Sequence, residues 1–459
     1  MNKAVRRTSA LVVPRLPVER FSLRCGAVLL VSPRRGAPVF AAQAHVRGGH
    51  SLDPQGLAGT AFLAGRLVDQ GAGGWTEEAI AARLEPAGGS LAGSSTGITG
   101  QIAGGEWKAL LECLAACLVG PTYPSAKVEL HRKRLLDRLI IERDDPRTQG
   151  AWLFRRLVYG EHWLGQPDYG AIESVRRIER KHLAEHHRRH WCGKRTVIAV
   201  SGDVDPLEVR LALERGLGRW RPGADLPPPD LRFPALERRT GAFPADRQQI
   251  HVYLGHLGVR RTDPDYAALV VMDHVLGTGP GFTSRITRRL RDELGLAYTV
   301  SASIHSSAGV LPGTFMAYIG TSPEHLKTAI QGFLAEIRRI RDELVTKEEL
   351  ELARNYLTGS FALGYERSAR RVQTLVSAHR NGLPDDHLEQ LFRSFRTVRA
   401  EDVRRVARAH LHPGASCVAV AGPVGSDVLE GLGRESLPGR RAHSRRRPSA
   451  ASGRAGTGP

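Results

Sequence analysis

Two histidines and a glutamate at metal-ligand spacing form one chemically suggestive group in this sequence. The string HLAEH at 182–186 places His182 and His186 four residues apart, with Glu185 between them. Residues at i and i+4 share one face of a helix, so both imidazoles can reach a single Zn²⁺ with the Glu as general base. The string runs on into two more histidines and two arginines at 187–190. We therefore favour a solvated basic helix face over a metal site.

A second group pairs a guanidinium with a phenol seven residues later, Arg291 and Tyr298. The sequence predicts a helix over Ser284–Leu294 that Gly295 ends, followed by an alternating strand over Ala297–Ile304. Such a junction can bring the two side chains toward one point. Both can donate a hydrogen bond to a peptide carbonyl, and more strongly to the oxyanion that forms when the carbonyl is attacked. The structural alternative makes Tyr298 a core aromatic residue and Arg291 a surface charge.

The net charge of +19 is spread in a way that argues against nucleic-acid binding. Residues 434–459 hold seven Arg and one Glu, so about a third of the excess charge lies in that segment. Aromatic residues make up 6% of the chain and do not interleave with the basic clusters, as single-strand stacking would require. A glycine-rich run at 277–281 lacks the Lys-Ser/Thr of a nucleotide loop, and we interpret it as a turn. We expect no nucleic-acid partner.

Three further features of the sequence indicate the cellular compartment. No stretch approaches the ~18 uninterrupted apolar residues of a membrane span, and residues 1–20 lack the apolar core of a secretory signal. Five dispersed cysteines without a Cys-x-x-Cys pair indicate reduced, buried thiols. These features predict a cytoplasmic protein with no membrane span.

The elements that must position these groups are repeated within the chain. Residues 190–204 (HWCGKRTVIAVSGDV) and 410–424 (HLHPGASCVAVAGPV) share a His, a strand, a Gly and a final Val at a constant offset of 220. Asp53-Pro54 and Asp263-Pro264 each open an apolar helical run in their halves. Two copies of roughly 210–220 residues therefore fill the chain.

Each copy mixes alternating strands with long amphipathic helices, for example Ser125–Arg143 and Thr346–Phe361. This order predicts an α+β fold of two homologous domains, each an antiparallel-rich sheet with helices packed on one face. The predicted division is an N-terminal extension, a first domain, a Pro-rich linker, a second domain and a disordered basic tail, over residues 1–20, 21–218, 219–246, 247–432 and 433–459.

Four segments resemble the pitrilysin/insulinase clan of zinc peptidases, in particular its mitochondrial-processing-peptidase-like branch. Two of them, SRITRRLRDELGLAYTVSAS (284–303) and VTKEELELARNYLTGSF (345–361), are specific, while 39–59 and 187–204 are suggestive. The resemblance covers residues 20–430. It implies two similar α+β domains per chain, and two such chains that close like a clamshell around an unfolded peptide.

The zinc site that the resemblance implies is degenerate in this sequence. The clan carries His-x-x-Glu-His on its first helix and a further Glu about 76 residues later. Here the three helix positions hold Phe62, Gly65 and Arg66, and the later one falls at Arg138. An alternative register offers Gly59, Phe62 and Leu63, again without a ligand or base. The HLAEH string lies near the end of the first domain rather than on that helix, so we expect no metal in this chain.

The resemblance also assigns a role to Arg291 and Tyr298, which occupy the Arg and Tyr of the clan motif Arg-x-x-x-Gly-Leu-Ala-Tyr. In the clan these residues hold and polarise the substrate. The leading hypothesis is therefore a non-zinc subunit that closes the chamber on unfolded peptides beside a sister chain with an intact His-x-x-Glu-His and the Zn. The alternatives are a catalytically inert scaffold or peptide-binding relative, and a self-sufficient zinc peptidase that uses His182, Glu185 and His186.

Overall fold

Residues 16–281 and 283–424 are described by the structure, a computed structural model. The tail predicted for 433–459 lies outside the described residues. Within them the first half contributes eight strands and eight helices. The strands are β1 (Glu19–Ser22), β2 (Val28–Pro33), β3 (Val39–Val46), β4 (Gly71–Ala72), β5 (Trp75–Thr76), β6 (Ser90–Ser94), β7 (Gly97–Ala103) and β8 (Thr196–Gly202). The helices are α1 (Thr60–Arg66), α2 (Glu77–Leu84), α3 (Trp107–Val119), α4 (Ser125–Arg143), α5 (Pro146–Tyr159), α6 (Ile172–Arg177), α7 (Arg180–His190) and α8 (Pro206–Gly216).

The second half follows the same alternation of strands and helices. Its described strands are β9 (Thr240–Pro244), β10 (Ile250–Leu257), β11 (Val300–Ser303), β12 (Thr314–Thr321) and β13 (Cys417–Gly422). Its described helices are α9 (Tyr266–Asp273, extended by a π-helix over His274–Thr278), α10 (Arg285–Thr287, extended by a π-helix over Arg288–Glu293), α11 (Leu326–Asp342), α12 (Lys347–Gly364), α13 (Ser368–Arg380), α14 (His387–Thr397) and α15 (Ala400–His410).

Five strands of each large sheet share one topology, which confirms the predicted duplication, and β1 is an additional edge strand of the first sheet. The first has the strand order β1-β2-β8-β3-β7-β6, and the second has β9-β13-β10-β12-β11. In each, one parallel pair (β2 with β8, β9 with β13) borders a run of antiparallel pairs. The α+β prediction is therefore correct. Strand β9 lies within the segment predicted as linker, and β1 begins within the predicted N-terminal extension.

Each sheet buries one face against helices of its own half. Alternation of apolar residues along the strands produces that face, and α3 and α8 cover it in the first half. In the second half α9, α11 and α15 form the equivalent layer. All five cysteines are buried and free, as predicted.

The opposite face of each sheet contacts a helix from the other half, which the sequence analysis did not predict. Helix α5 packs on β9, β10 and β13, where Phe154 stacks on Tyr253 with ring centroids 6.3 Å apart. Helix α13 packs on β3 and β8, and Ser368 donates a hydrogen bond to the Val39 carbonyl (2.8 Å). Apolar residues of both exchanged helices are buried there. The exchange ties the two halves together.

Candidate functional site

Arg291 and Tyr298 come together at the edge of the second sheet. The Arg291 guanidinium carbon lies 5.1 Å from the centroid of the Tyr298 ring, within the range of a cation–π contact. Tyr298 is 86% exposed, so it is not a core aromatic residue. An accessible phenol thus lies beside a half-buried guanidinium, and both groups are hydrogen-bond donors.

The segment between these residues differs in detail from its prediction. Ser284 holds the N-cap position without a side-chain capping hydrogen bond, and Gly295 ends the helix as predicted, in the left-handed conformation (φ 62°). The predicted strand over Ala297–Ile304 is too long, because β11 begins only at Val300. The Leu296 carbonyl accepts the Thr321 hydroxyl (2.7 Å) instead of joining the ladder. Tyr298 therefore lies on a short loop ahead of the strand.

A buried carboxylate fixes the far end of this strand. Asp273, at the end of α9, is 0% exposed and accepts the backbone N–H groups of Ile304 and His305 at 2.8 and 3.0 Å. The Ser303 hydroxyl donates to the same carboxylate oxygen (2.8 Å). Gly277 lets the helix approach β11, since a Cβ there would lie 2.5 Å from the Ala302 carbonyl oxygen. These contacts fix the C-terminal end of β11, the strand that follows the Tyr298 loop.

Helix α1, where the sequence analysis placed the degenerate metal positions, is packed too tightly to hold a general base. A Cβ on Gly65 would lie 1.9 Å from the carbonyl oxygen of Ser94 on strand β6, and a Cβ on Gly93 would lie 2.0 Å from the Gly65 oxygen. This close contact between helix and edge strand leaves no space for a carboxylate side chain at position 65. Arg66 ends the helix and is exposed.

Phe62 and Arg138 converge on one aromatic ring. The Phe62 ring meets Tyr169 edge-on (centroids 6.1 Å apart, 73°), and the Arg138 guanidinium lies 4.7 Å from the same centroid. Trp152 donates to the Tyr169 hydroxyl (2.9 Å), and Arg138 donates to Glu142 (2.6 Å). An aromatic and cationic cluster thus lies between the two positions.

The residues of the HLAEH string have structural roles in helix α7. His182 accepts the backbone N–H of Glu179 (3.0 Å) in a capping box, and Glu185 is paired with Arg188 and Arg189. His186 is buried, and burial, with smaller contributions from His190 and His187, lowers its pKa to about 3. Among residues 16–281 and 283–424 these side chains form no three-ligand cluster.

One acidic cluster with metal-ligand spacing does occur in the described chain, formed by Asp263, Asp265 and His410. The two Asp265 oxygens are already occupied, one by Arg405 and one by His410, each at 2.8 Å. Asp263 accepts the backbone N–H of Asp265 (2.9 Å). These partners account for the cluster as a structural network.

The chain is similar to known proteins of one peptidase family. Residues 177–357 match the family described as the peptidase M16 inactive domain. An uncharacterised zinc protease of Streptomyces coelicolor is 26% identical over 320 residues, which span 68% of this chain and 69% of that protein. An uncharacterised zinc protease of Mycobacterium tuberculosis is 27% identical over 362 residues, 76% of this chain and 80% of its own.

The fold is shared with a solved structure of the same description. The crystal structure of a peptidase M16 inactive domain from Pseudomonas fluorescens superposes with a TM-score of 0.83 at 23% identity, covering 89% of this chain and 99% of that one. The resemblance of this chain to the pitrilysin/insulinase clan, the M16 peptidases, is thereby confirmed. Its described helices include none long and apolar enough to cross a bilayer.

The zinc that this clan uses does not fit the residues of helix α1. Zinc needs imidazole, thiolate or carboxylate ligands, whereas this chain presents a phenyl ring at Phe62, no side chain at Gly65 and guanidinium groups at Arg66 and Arg138. The backbone contact at Gly65 also excludes a carboxylate without movement of the strand. We derive no zinc-dependent step from this chain.

A buried ion pair that the sequence analysis missed anchors the helix carrying Arg291. Arg285 is 2% exposed and donates two hydrogen bonds to Glu349 of α12, at 2.8 and 2.7 Å. Glu349 also completes the capping box of α12 with Thr346. The capping box was visible in the TKEE string as a helix start, but the partner of its glutamate lies 64 residues away.

Replacing Glu349 with Gln is expected to lower the free energy of unfolding by about 3–5 kcal/mol at pH 7, because a buried arginine loses its counter-charge. Burial raises the pKa of Glu349, but hydrogen bonds and charge from Arg285 outweigh it and the net pKa is lowered. The contribution is thus full above the pKa of an unfolded glutamate, about 4.3, and is lost as the pH falls through the lower folded-state value. Urea unfolding at pH 7 and at low pH measures it.

The matched control is Glu293→Gln, which breaks the exposed i,i+4 pair with Arg289 (2.8 Å, both side chains 48% exposed). That change is expected to cost less than about 1 kcal/mol. Equal losses for the two variants would show that burial of the Arg285–Glu349 pair adds nothing.

Proposed function

We propose that this chain is the non-zinc subunit of a heterodimeric M16 metallopeptidase. A sister chain with an intact His-x-x-Glu-His would bind Zn²⁺ and activate water, and this chain would close the chamber and present Arg291 and Tyr298. The observation that carries the proposal is the contrast between two sites on one chain. Helix α1 has no ligand or base, whereas an accessible phenol stands beside a guanidinium at the second sheet edge.

The chemistry assigned to this chain needs only hydrogen-bond donors. A peptide carbonyl placed against Arg291 and Tyr298 gains a charge-assisted bond from the guanidinium and a second from the phenol. Attack by water converts that carbonyl oxygen into an oxyanion, which accepts both bonds more strongly. Such donors lower the barrier because they stabilise the transition state more than the bound substrate.

Reconstitution of the pair tests this division of labour. We expect the purified chain alone to contain no stoichiometric zinc and to leave a quenched, unstructured peptide uncut. Mixing it with a zinc-binding sister chain is expected to restore cleavage that a chelator abolishes, and size-exclusion chromatography should show a mixed dimer. Metal content, turnover and elution volume are the measurements.

Two controls make the result decisive. His182→Ala with His186→Ala in this chain is expected to leave the activity of the pair unchanged, since both residues have structural partners or are buried. The sister chain alone should be inactive or nearly so. Chelator-sensitive cleavage by this chain alone, lost in the double His variant, would overturn the proposal.

A further inference from the structure

Three arginines line a cavity between the halves, which we call the arginine cavity: Arg261, Arg370 and Arg380. Its volume is about 370 Å³, the scale of a small-ligand or side-chain pocket rather than of a protein interface. Arg261 follows strand β10, while Arg370 and Arg380 lie on the exchanged helix α13. The cavity exists because α13 crosses to the first sheet, so it depends on both halves of the chain.

The positive charge of the arginine cavity is not neutralised by the described residues. Arg261 lies over the Tyr266 ring at 3.9 Å, and no described carboxylate pairs with it. Burial, modified by Tyr365 and Arg370, lowers its pKa to about 10. The described chain gives Arg380 no carboxylate partner either; this residue is exposed overall, while partial burial of its guanidinium lowers its pKa. A guanidinium removed from bulk water without a counter-charge is costly, and a bound anion would relieve that cost.

The single described carboxylate on the cavity wall is already occupied. Asp385 lines the cavity but pairs with Arg20 at 2.6 Å. Arg370 donates to the Gln373 amide oxygen (2.9 Å), which is neutral. Nε2 of His387, also on the wall, is buried and has no hydrogen-bond partner in the described structure. The wall therefore offers an excess of donors over acceptors.

Apolar residues complete the cavity wall and favour one class of anion as the ligand. Phe361, Leu388 and Leu391 line the same space as the arginines. An inorganic ion would leave that apolar surface unused, whereas a peptide side chain with a terminal carboxylate contacts both. Arg380 also lines a neighbouring cavity of about 470 Å³, whose wall includes Arg47 and Arg155. Arg380 is thus common to the walls of both cavities.

We propose that the arginine cavity binds a carboxylate of the enclosed peptide, so that this subunit selects peptides bearing acidic residues. The ligand class rests on the proposed function, since that function supplies the peptide. The recognition itself needs only this chain: guanidinium groups bind carboxylate oxygens through paired N–H donors. The cavity is a positively charged pocket for a side chain, separate from the Arg291–Tyr298 pair.

The experiment measures peptide binding to the full chain without its partner, so it does not depend on cleavage. Fluorescence anisotropy at 0.15 M salt compares an unstructured peptide containing glutamates with the same peptide carrying Gln at those positions, both with amidated C-termini. We expect the acidic peptide to bind about tenfold or more tightly, as loss of charge-assisted hydrogen bonds implies. A third peptide, neutral but with a free C-terminus, separates terminal from side-chain carboxylates.

The variants are Arg261→Gln and Arg380→Gln, with Arg370→Gln as an exposed third change that leaves the fold intact. Each is expected to abolish most of the preference for the acidic peptide. Arg261→Gln is also expected to leave thermal stability unchanged or higher, because it removes an uncompensated charge. The matched control is Arg215→Gln on α8, an exposed arginine outside the cavity, which should keep the preference.

Three results would overturn the inference. The first is equal binding of the acidic and neutral peptides. The second is a preference for the acidic peptide that survives all three cavity variants. The third is loss of the preference in millimolar inorganic phosphate together with no effect of Leu388→Ala in the apolar wall, which would assign the pocket to a free anion. Cleavage of neutral peptides by the reconstituted pair would leave the proposed function standing in each case.

Discussion

Changing Arg291 to Ala in the reconstituted pair is expected to lower kcat for peptide cleavage by about 10²–10³, the usual effect of losing one oxyanion donor. Tyr298→Phe removes only the phenolic hydroxyl and is expected to act in the same direction. Because the donors act chiefly on the transition state, kcat should fall much more than peptide affinity does. Single-turnover cleavage and anisotropy binding on the same variants measure the two quantities.

Tyr298→Phe is the variant with the smaller risk of a folding artefact. Tyr298 is 86% exposed, and surface substitutions of this kind change stability by about 0.5 kcal/mol or less. The control is Arg289→Ala, two residues before Arg291 on the same π-helical segment and paired with the exposed Glu293. It should leave kcat unchanged. Wild-type kcat in both the Arg291 and Tyr298 variants would favour the inert scaffold instead.

Local patterns predicted the long helices well. Helix α4 spans the predicted Ser125–Arg143, and the helix predicted from Thr346 begins at Lys347. Prediction works for these elements because the periodic spacing of their apolar residues is what favours the helix or strand. The topology that the two sheets share was likewise implied by the repeated segments at an offset of 220.

Contacts between distant segments were beyond the sequence. The apolar side of α5, with Phe154 and Val158, indicated burial but not that the sheet of the other half would cover it. Tyr298 was predicted in a strand because its neighbours alternate, yet the Leu296 carbonyl bonds to Thr321, 25 residues away. The arginine cavity has the same origin, because its three guanidinium groups meet only after α13 has crossed to the first sheet.

The absence of a glutamate at position 65 has a structural explanation. From the sequence Gly65 was a lost general base, a position where a Glu was expected and none was found. In the structure it is the point where the backbone of α1 contacts strand β6. The single change Gly65→Glu therefore cannot supply a base, because the backbone of strand β6 occupies the space that the side chain would need.

Gly65→Ala is accordingly expected to lower the free energy of unfolding by about 3 kcal/mol, since its Cβ would lie 1.9 Å from a backbone oxygen that cannot rotate away. The matched control is Gly359→Ala in helix α12, where nothing lies within 4 Å of the added carbon. That change should raise stability by up to about 1 kcal/mol, because Ala is the better helix former. Urea unfolding of the two variants measures the difference.

The triple variant Phe62→His, Gly65→Glu and Arg66→His extends the same argument to chemistry. It restores the His-x-x-Glu-His motif. However, Gly65→Glu pushes helix α1 away from strand β6, and Arg138 still occupies the position of the fourth ligand. We expect a destabilised chain that gains neither stoichiometric zinc nor peptidase activity, measured by metal analysis and by cleavage of the quenched peptide. A stable, zinc-loaded and active triple variant would show that the helix–strand contact at Gly65 is not what keeps this chain from binding metal.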